Sequence, residues 1–184
     1  EGIGHNLPFL SAVMDHPKFT SGDMTTAFIA EEYPDGFEGV TLPAAALRRV
    51  VAASAAMYRV GEIRRAQISG RLDNHARKVG DHWVVCLQGE THAVTVAADP
   101  NGALVTFEDG AAHYVIGAWT PGIKLADMLV DKTPLVMKGD EISGGFRLRT
   151  RGADLKVTIR SPRHAELALL MPEKLPPDTS KLLL

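Results

Sequence analysis

The stretch "TLPAAALRRVVAASAAMYRVGEIRRAQI", residues 41–68, decides how the rest of the chain has to be arranged. Thr41 offers a cap, Pro43 stands near the start, and the residues that follow have high helix propensity, so the spacing predicts one long helix over 42–68. Between Pro43 and Val60 the only charges are Arg48, Arg49 and Arg59. Leu47, Val50, Val51, Met57 and Val60 spread around much of the circumference, and alanines fill the remainder. A helix apolar on nearly every side is an enclosed helix, so something must surround it. The alanines let neighbouring backbones come close, while each larger apolar side chain contributes roughly 1.5 to 3 kcal/mol on full burial. The last turns, with Glu62, Arg64 and Arg65, read as solvated.

The surround follows in the chain. After the polar loop 69–80 the apolar period changes from helical to alternating, and about eight short runs appear near 82–88, 91–98, 103–108, 112–119, 123–130, 134–139, 145–150 and 153–160. Gly89, Asp99-Pro100-Asn101-Gly102, Asp109-Gly110, Thr120-Pro121-Gly122, Asp131-Lys132, Ser143-Gly144 and Arg151-Gly152 punctuate them. Most of these links are too short for a parallel crossover, so neighbouring strands are antiparallel. Eight such strands can close on themselves and abolish their edges. The expected fold is α+β: two short helices, then one long apolar helix enclosed by an antiparallel β-barrel of about eight strands. One tension accompanies it, because an eight-stranded barrel normally has room only for its own side chains.

Composition removes several function classes. The 184 residues carry a formal net charge of −2 with 23% charged and 45% hydrophobic residues, an ordinary globular balance that gives no bulk attraction to nucleic acid or to an anionic membrane. No apolar run approaches the roughly 18 to 20 residues that cross a bilayer. The single cysteine, Cys86, cannot form an internal disulfide and reads as a buried structural thiol in a reducing compartment. No phosphate-binding glycine loop, nucleophile elbow or H-E-x-x-H pair is present, and Gly2-Ile3-Gly4 lacks the third glycine of a dinucleotide loop. His82, His92 and His113 fall on neighbouring strands but read as ordinary strand histidines, so no metal is expected. Trp83 and Trp119 read as core or rim. Asp140 and Glu141, beside a glycine turn, read as solvated.

Two features invite a partner. In "FRLRTRGADLKVTIR", residues 146–160, Arg147, Arg149, Lys156 and Arg160 alternate with apolar residues, giving one hairpin a basic face. That face is a candidate secondary contact, although a solvated surface explains it more simply. The loop 69–80, "SGRLDNHARKVG", joins an enclosed helix to a sheet, and long loops on rigid scaffolds often carry binding.

The ends of the chain supply the family. "GHNLPFLSAVMDHPKFTSGDMTTAFIAEEYPDGF", residues 4–37, predicts two short helices, near 7–15 and ending near Glu32, each too short to be stable alone. With Gly2 and Asn6, then Phe19, Gly22, Asp23 and Thr26, this stretch resembles the closing segment of the biotin carboxylase domain in the biotin-bearing α subunits of propionyl-CoA carboxylases. Tyr33-Pro34-Asp35-Gly36-Phe37 favours the propionyl enzymes over the methylcrotonyl ones. At the other end "MPEKLPPDTSKLLL", residues 171–184, resembles the lead-in to a biotin carrier domain. Both ends therefore read as those of a piece of a longer protein, with something following.

The resemblance implies a division into 1–34, the tail of a biotin carboxylase domain; 35–170, a BT domain in which a long helix is surrounded by a barrel; and 171–184, a linker toward the carrier domain. It also implies a role without chemistry: docking the α subunit on the carboxyltransferase β subunit, partly through a hook-like loop after the helix. On that basis Arg71, Leu72, Asp73, Asn74, His75 and Arg77 are the expected partner contacts, with Leu72 as an apolar anchor. The complete enzymes use biotin, ATP and Mg2+ with bicarbonate to make methylmalonyl-CoA from propionyl-CoA, as α6β6 hetero-oligomers of the bacterial cytoplasm or the mitochondrial matrix. No catalytic or metal-binding residue of those enzymes falls in this segment, nor does the A-M-K-M biotinylation motif, so the segment alone is not expected to carboxylate anything or bind a cofactor. Phe9, Val13, Phe28 and Ile29 are expected to be exposed when the first two helices stand apart from their parent domain. Two competing readings are a free-standing barrel that binds an apolar small molecule and a strand-face nucleic-acid binder. The first is disfavoured by the apolar helix, the second by the lack of interleaved aromatics.

Overall fold

In a computed structural model, residues 6–69 and 77–171 are described. Three short helices, α1 (Leu7–Asp15), α2 (Pro17–Ser21) and α3 (Phe28–Glu32), precede the long α4 (Ala44–Ala66). Eight strands follow: β1 (His82–Leu87), β2 (Glu90–Asp99), β3 (Gly102–Phe107), β4 (Ala112–Ile116), β5 (Leu125–Val130), β6 (Thr133–Ile142), β7 (Gly145–Thr150) and β8 (Ala153–Arg160). A last helix, α5 (Pro162–Leu169), ends the described chain.

Each strand pairs antiparallel with the next, and β8 returns to β1 through Val85 opposite Ile159 and Leu87 opposite Val157, so the sheet is a closed barrel in simple sequence order. Alternation fills it: Trp83, Val85 and Leu87 point inward from β1, and Leu155, Val157 and Ile159 from β8. Every residue from Val50 to Met57 is buried. That run exceeds two helical turns, so no face of α4 there meets water and the helix runs through the barrel. The expected tension over space is relieved by small residues on both sides. Ala52, Ala53, Ala55 and Ala56 keep the helix slim, and Gly139 on β6 lets the wall approach it, since a Cβ there would lie 3.2 Å from Leu148 Cδ2 and 3.8 Å from Met57 Cε. Ser54, the one hydroxyl in this run, donates to the Val51 carbonyl at 2.9 Å and so costs little to bury.

Because α4 runs through the barrel, the molecule has two unlike ends. At the lower end, where α4 enters, lie the turns after β1, β3, β5 and β7. The Arg48 guanidinium grips Asp109 there with two hydrogen bonds of 2.7 and 2.9 Å and lies 4.3 Å from the Phe107 ring centroid. Asp131, in the turn after β5, accepts from the Tyr114 backbone N–H at 2.9 Å and lies 2.5 Å from His113 Nδ1. The three short helices also sit there. Phe9, Phe28, Tyr33 and Phe37 form an aromatic cluster, with Phe9 and Tyr33 edge-to-face at 5.1 Å. The cluster's helices dock on Gly152, in the β7–β8 turn at φ +83°, where an added Cβ would meet Val40 Cγ2 at 2.9 Å and Ala12 Cβ and the Pro8 carbonyl at 3.0 Å. Arg151 adds an ion pair to Asp15 at 2.9 Å.

Several expectations change at this level. Three short helices form where two were expected, because Pro17 opens α2: its fixed φ suits a first turn, and the His16 ring accepts the Lys18 N–H at 3.2 Å. Phe28 is buried and Phe9 and Val13 are half-buried in contacts at the lower end, so of the four residues expected to be exposed only Ile29 is. Thr41 caps nothing, since α4 begins after Pro43. Cys86 alternates with the inward Val85 and Leu87 and is partly exposed, not buried.

Candidate subunit interface

The upper end is built around the last turns of α4. Glu62, expected to be solvated, is 5% exposed and is the one buried acid among the described residues. Its carboxylate accepts from Arg65 Nη1 at 2.7 Å, one turn on, and from Arg77 Nη2 across the loop. Arg65 also reaches Glu141 on β6 at 3.6 Å. One turn earlier Arg59 donates to Asp81 at 2.7 Å, immediately before β1. The segment leaving α4 at Gln67 is thus fastened back to the same helix by Arg77 and Asp81. Fixing the flanks of a loop lowers the conformational entropy that remains to be lost when it docks.

Aromatic rings support this base. Tyr58 packs edge-to-face against Trp83 at 5.4 Å and Phe146 at 6.3 Å, and Trp119 against Phe146 at 5.7 Å. The Trp119 indole N–H donates to the Ile123 carbonyl at 2.8 Å, which folds the link between β4 and β5 over the helix. Burial and then the negative Glu62 push the Tyr58 hydroxyl above its ordinary pKa.

Among the sequence-predicted contacts, Arg77 is the one the described structure places: half-exposed, with its guanidinium on Glu62. Arg71, Leu72, Asp73, Asn74 and His75 lie outside the described residues. The basic hairpin face is less positive than its arginines imply. Arg147 makes a forked pair with Asp154, with contacts of 2.8 and 2.8 Å, and Arg149 bridges Asp140 at 2.7 Å and Asp154 at 3.2 Å. Asp140, read as solvated, is one of these partners. Lys156 and Arg160 stay exposed on β8. His82 bonds Thr95 at 3.1 Å, and among the described residues no three His, Cys, Asp or Glu side chains gather to hold a metal ion. No helix among them is long and apolar enough to cross a membrane.

Fold and site define a class first: a helix-filled antiparallel barrel whose lumen is occupied by its own chain and whose chemistry is that of paired surface charges. A family model for the propionyl-coenzyme A carboxylase BT domain matches residues 50–174, more than half of the chain, and the chain belongs to that family. Along its whole length it is 70% identical to the propionyl-CoA carboxylase alpha chain of Ruegeria pomeroyi. Over 99% of its length it is 31% identical to the mitochondrial propionyl-CoA carboxylase alpha chain of Mus musculus and 28% to that of Homo sapiens. It covers 27% of the Ruegeria chain and 26% of each mammalian one, so it spans about a quarter of the relatives it matches.

Proposed function

We propose that this segment is the docking piece of a biotin-dependent propionyl-CoA carboxylase α chain, holding it against a carboxyltransferase β subunit. Residues 1–34 go with the biotin carboxylase domain, 35–170 form the interaction domain and 171–184 lead to the biotin carrier domain. The whole enzyme, an α6β6 assembly of the bacterial cytoplasm or the mitochondrial matrix, uses ATP, Mg2+ and bicarbonate to carboxylate biotin and passes the carboxyl group to propionyl-CoA, giving methylmalonyl-CoA. The segment's part is positional: it fixes where the carrier arm starts and how far it travels.

The observation that carries the reading is the fastened loop base, with Glu62 and Arg77 at the upper end and the upstream helices at the lower. Arg77, where the described chain resumes, is thus held at the end opposite the upstream helices. Arg71, Leu72, Asp73, Asn74 and His75 meet the partner, and Arg77 sets their base. On the hairpin, Lys156 and Arg160 are the cations left for a partner carboxylate, Arg147 and Arg149 being already engaged. Replacing residues 70–76 by Gly/Ser in the full-length α chain is expected to weaken association with the β subunit at least about tenfold, as loss of a central anchor does. The thermal midpoint should stay within a few degrees. Unchanged affinity in a titration by light scattering would remove the assignment.

A filled lumen also bears on the competing apolar-ligand reading. The cavity beside the helix measures about 110 Å³, well under the roughly 300 to 1,000 Å³ of small-molecule pockets.

A further inference from the structure

Three two-residue turns of the barrel rest on left-handed backbone: Gln88 and Gly89, Asp131 and Lys132, and Arg151 and Gly152 all have φ between +49° and +84°. Backbone of that hand matches the twist of the flanking strands. The β2–β3 turn is built differently. Asp99 stands opposite Gly102, and neither Pro100 nor Asn101 between them has positive φ. A side chain holds this turn instead. Asp99 Oδ1 accepts the Asn101 and Gly102 backbone N–H groups, each at 2.8 Å, and the Tyr114 hydroxyl donates to Asp99 Oδ2 at 2.6 Å.

Asn101 and Gly102 are also a reactive pair. The Gly102 nitrogen attacks the Asn101 side-chain carbonyl carbon: an N–Cγ bond forms, the nitrogen gives up its proton, the Cγ–NH2 bond breaks and ammonia leaves, closing a succinimide. Water then opens the ring at either carbonyl, giving aspartate or, with the main chain rerouted through the side chain, isoaspartate. Glycine favours the attack because no side chain shields its nitrogen and its backbone turns freely. Asn101 is exposed, and among the described residues no hydrogen bond engages its side-chain amide.

Asp99 stands in the way of this reaction. The attacking nitrogen must lose the proton that it donates to the Asp99 carboxylate, and an anion beside it opposes the negative charge that develops there. The carboxylate is also a weak base, since the Tyr114 hydroxyl and then the Asn101 N–H hold it below the ordinary carboxylate range. The product would strain its surroundings. Isoaspartate adds one atom to the main chain just before Gly102, and Gly102 has no room to move inward, because even an added Cβ would collide with the Val115 carbonyl of β4.

We propose that Asn101 is a site of spontaneous deamidation that Asp99 restrains, and that the isoaspartyl product loosens β3 from β4 at the upper end. The reaction is slow while the turn is closed and fast once it opens, so it marks chains whose upper end has been open.

The test incubates the full-length α chain at mildly alkaline pH and follows Asn101 by mass spectrometry, beside a free peptide of residues 97–104. Deamidation is expected to be at least about tenfold slower in the protein, the change that one pK unit on the attacking nitrogen gives. Asp99→Ala should restore most of the peptide rate. Asp99→Asn keeps an acceptor in the turn without its charge and should restore part of it, which decides the matter if the alanine variant does not fold. Equal rates in protein and peptide, or folded variants that deamidate no faster than the unmodified chain, would overturn the restraint by Asp99. Isoaspartyl chains should exchange amide hydrogens faster at 102–105, and unchanged exchange there would overturn the loosening.

Discussion

The two ends of the barrel solve different problems with the same strands. At the lower end side chains tie down the turns after β3, β5 and β7: Arg48 to Asp109, Asp131 to His113 and Tyr114, Arg151 to Asp15, with Gly152 accepting the upstream helices. At the upper end side chains tie the flanks of the loop after α4, the β2–β3 turn through Asp99 and the β4–β5 link through Trp119, yet Val60, Ile68, Ile116, Ile123 and Leu125 stay exposed around them. A closed barrel has no free sheet edge to use for binding, so its ends and walls are what it can offer a partner. The lower end is closed by the helices α1–α3. The upper end is shaped to remain open.

The strongest way to break this contrast is Gly152→Val. A β-branched residue at φ +83° is strained, and its side chain meets Val40, Ala12 and Pro8, so the cost is about 3 kcal/mol from backbone and overpacking together. Urea unfolding should show that loss, and near-ultraviolet dichroism should report release of the Phe9–Tyr33 cluster, while affinity for the β subunit stays near the unmodified value. A fall in affinity as large as the fall in stability would mean the ends are not independent.

A smaller effect is expected at the other end from Glu62→Gln. It removes the charge that holds Arg65 and Arg77 together at a nearly buried site, for about 1 to 2 kcal/mol with the exposure of both arginines taken into account. Proteolysis within 69–80 should accelerate, and the lower end should keep its protection from hydrogen exchange.

The smallest effect is acid-dependent. Hydrogen bonds from Arg48 and the Ala111 N–H hold the Asp109 carboxyl down to about 2. A depressed carboxylate adds stability above its unfolded pKa, and that part is lost as pH falls from 3.8 toward about 2. Asp109→Asn should therefore flatten the dependence of thermal midpoint on pH in that window and leave it unchanged above it.

Period was enough to read the helix 42–68, because an all-round apolar helix has few alternatives, and to read eight strands, because turn residues mark nearly every link. Burial that depends on distant partners was not legible. Glu62 looked wet because the residue that pairs with it, Arg77, is fifteen positions away and no local pattern joins them. The basic face of 146–160 was overstated because Asp140 sits on another strand, although Asp154 was in plain view within "GADLK". Helix α5 had its signal too: Ser161 caps it, accepting the His164 N–H at 3.3 Å, and Pro162 stands in its first turn. The exposure of Leu104, Ile116, Leu125, Leu129 and Val136 on adjacent strands escaped notice because alternation tells which residues of one strand share a face and not which strands stand side by side.

The most direct measurement is hydrogen–deuterium exchange on the full-length α chain with and without its β subunit. The account predicts new protection at 67–80 and in the β4–β5 link around 117–125, with residues 7–40 and the lower turns at 108–111 and 151–152 unchanged. Protection gathered at the lower turns, with 67–80 exchanging as fast in the complex as alone, would contradict it.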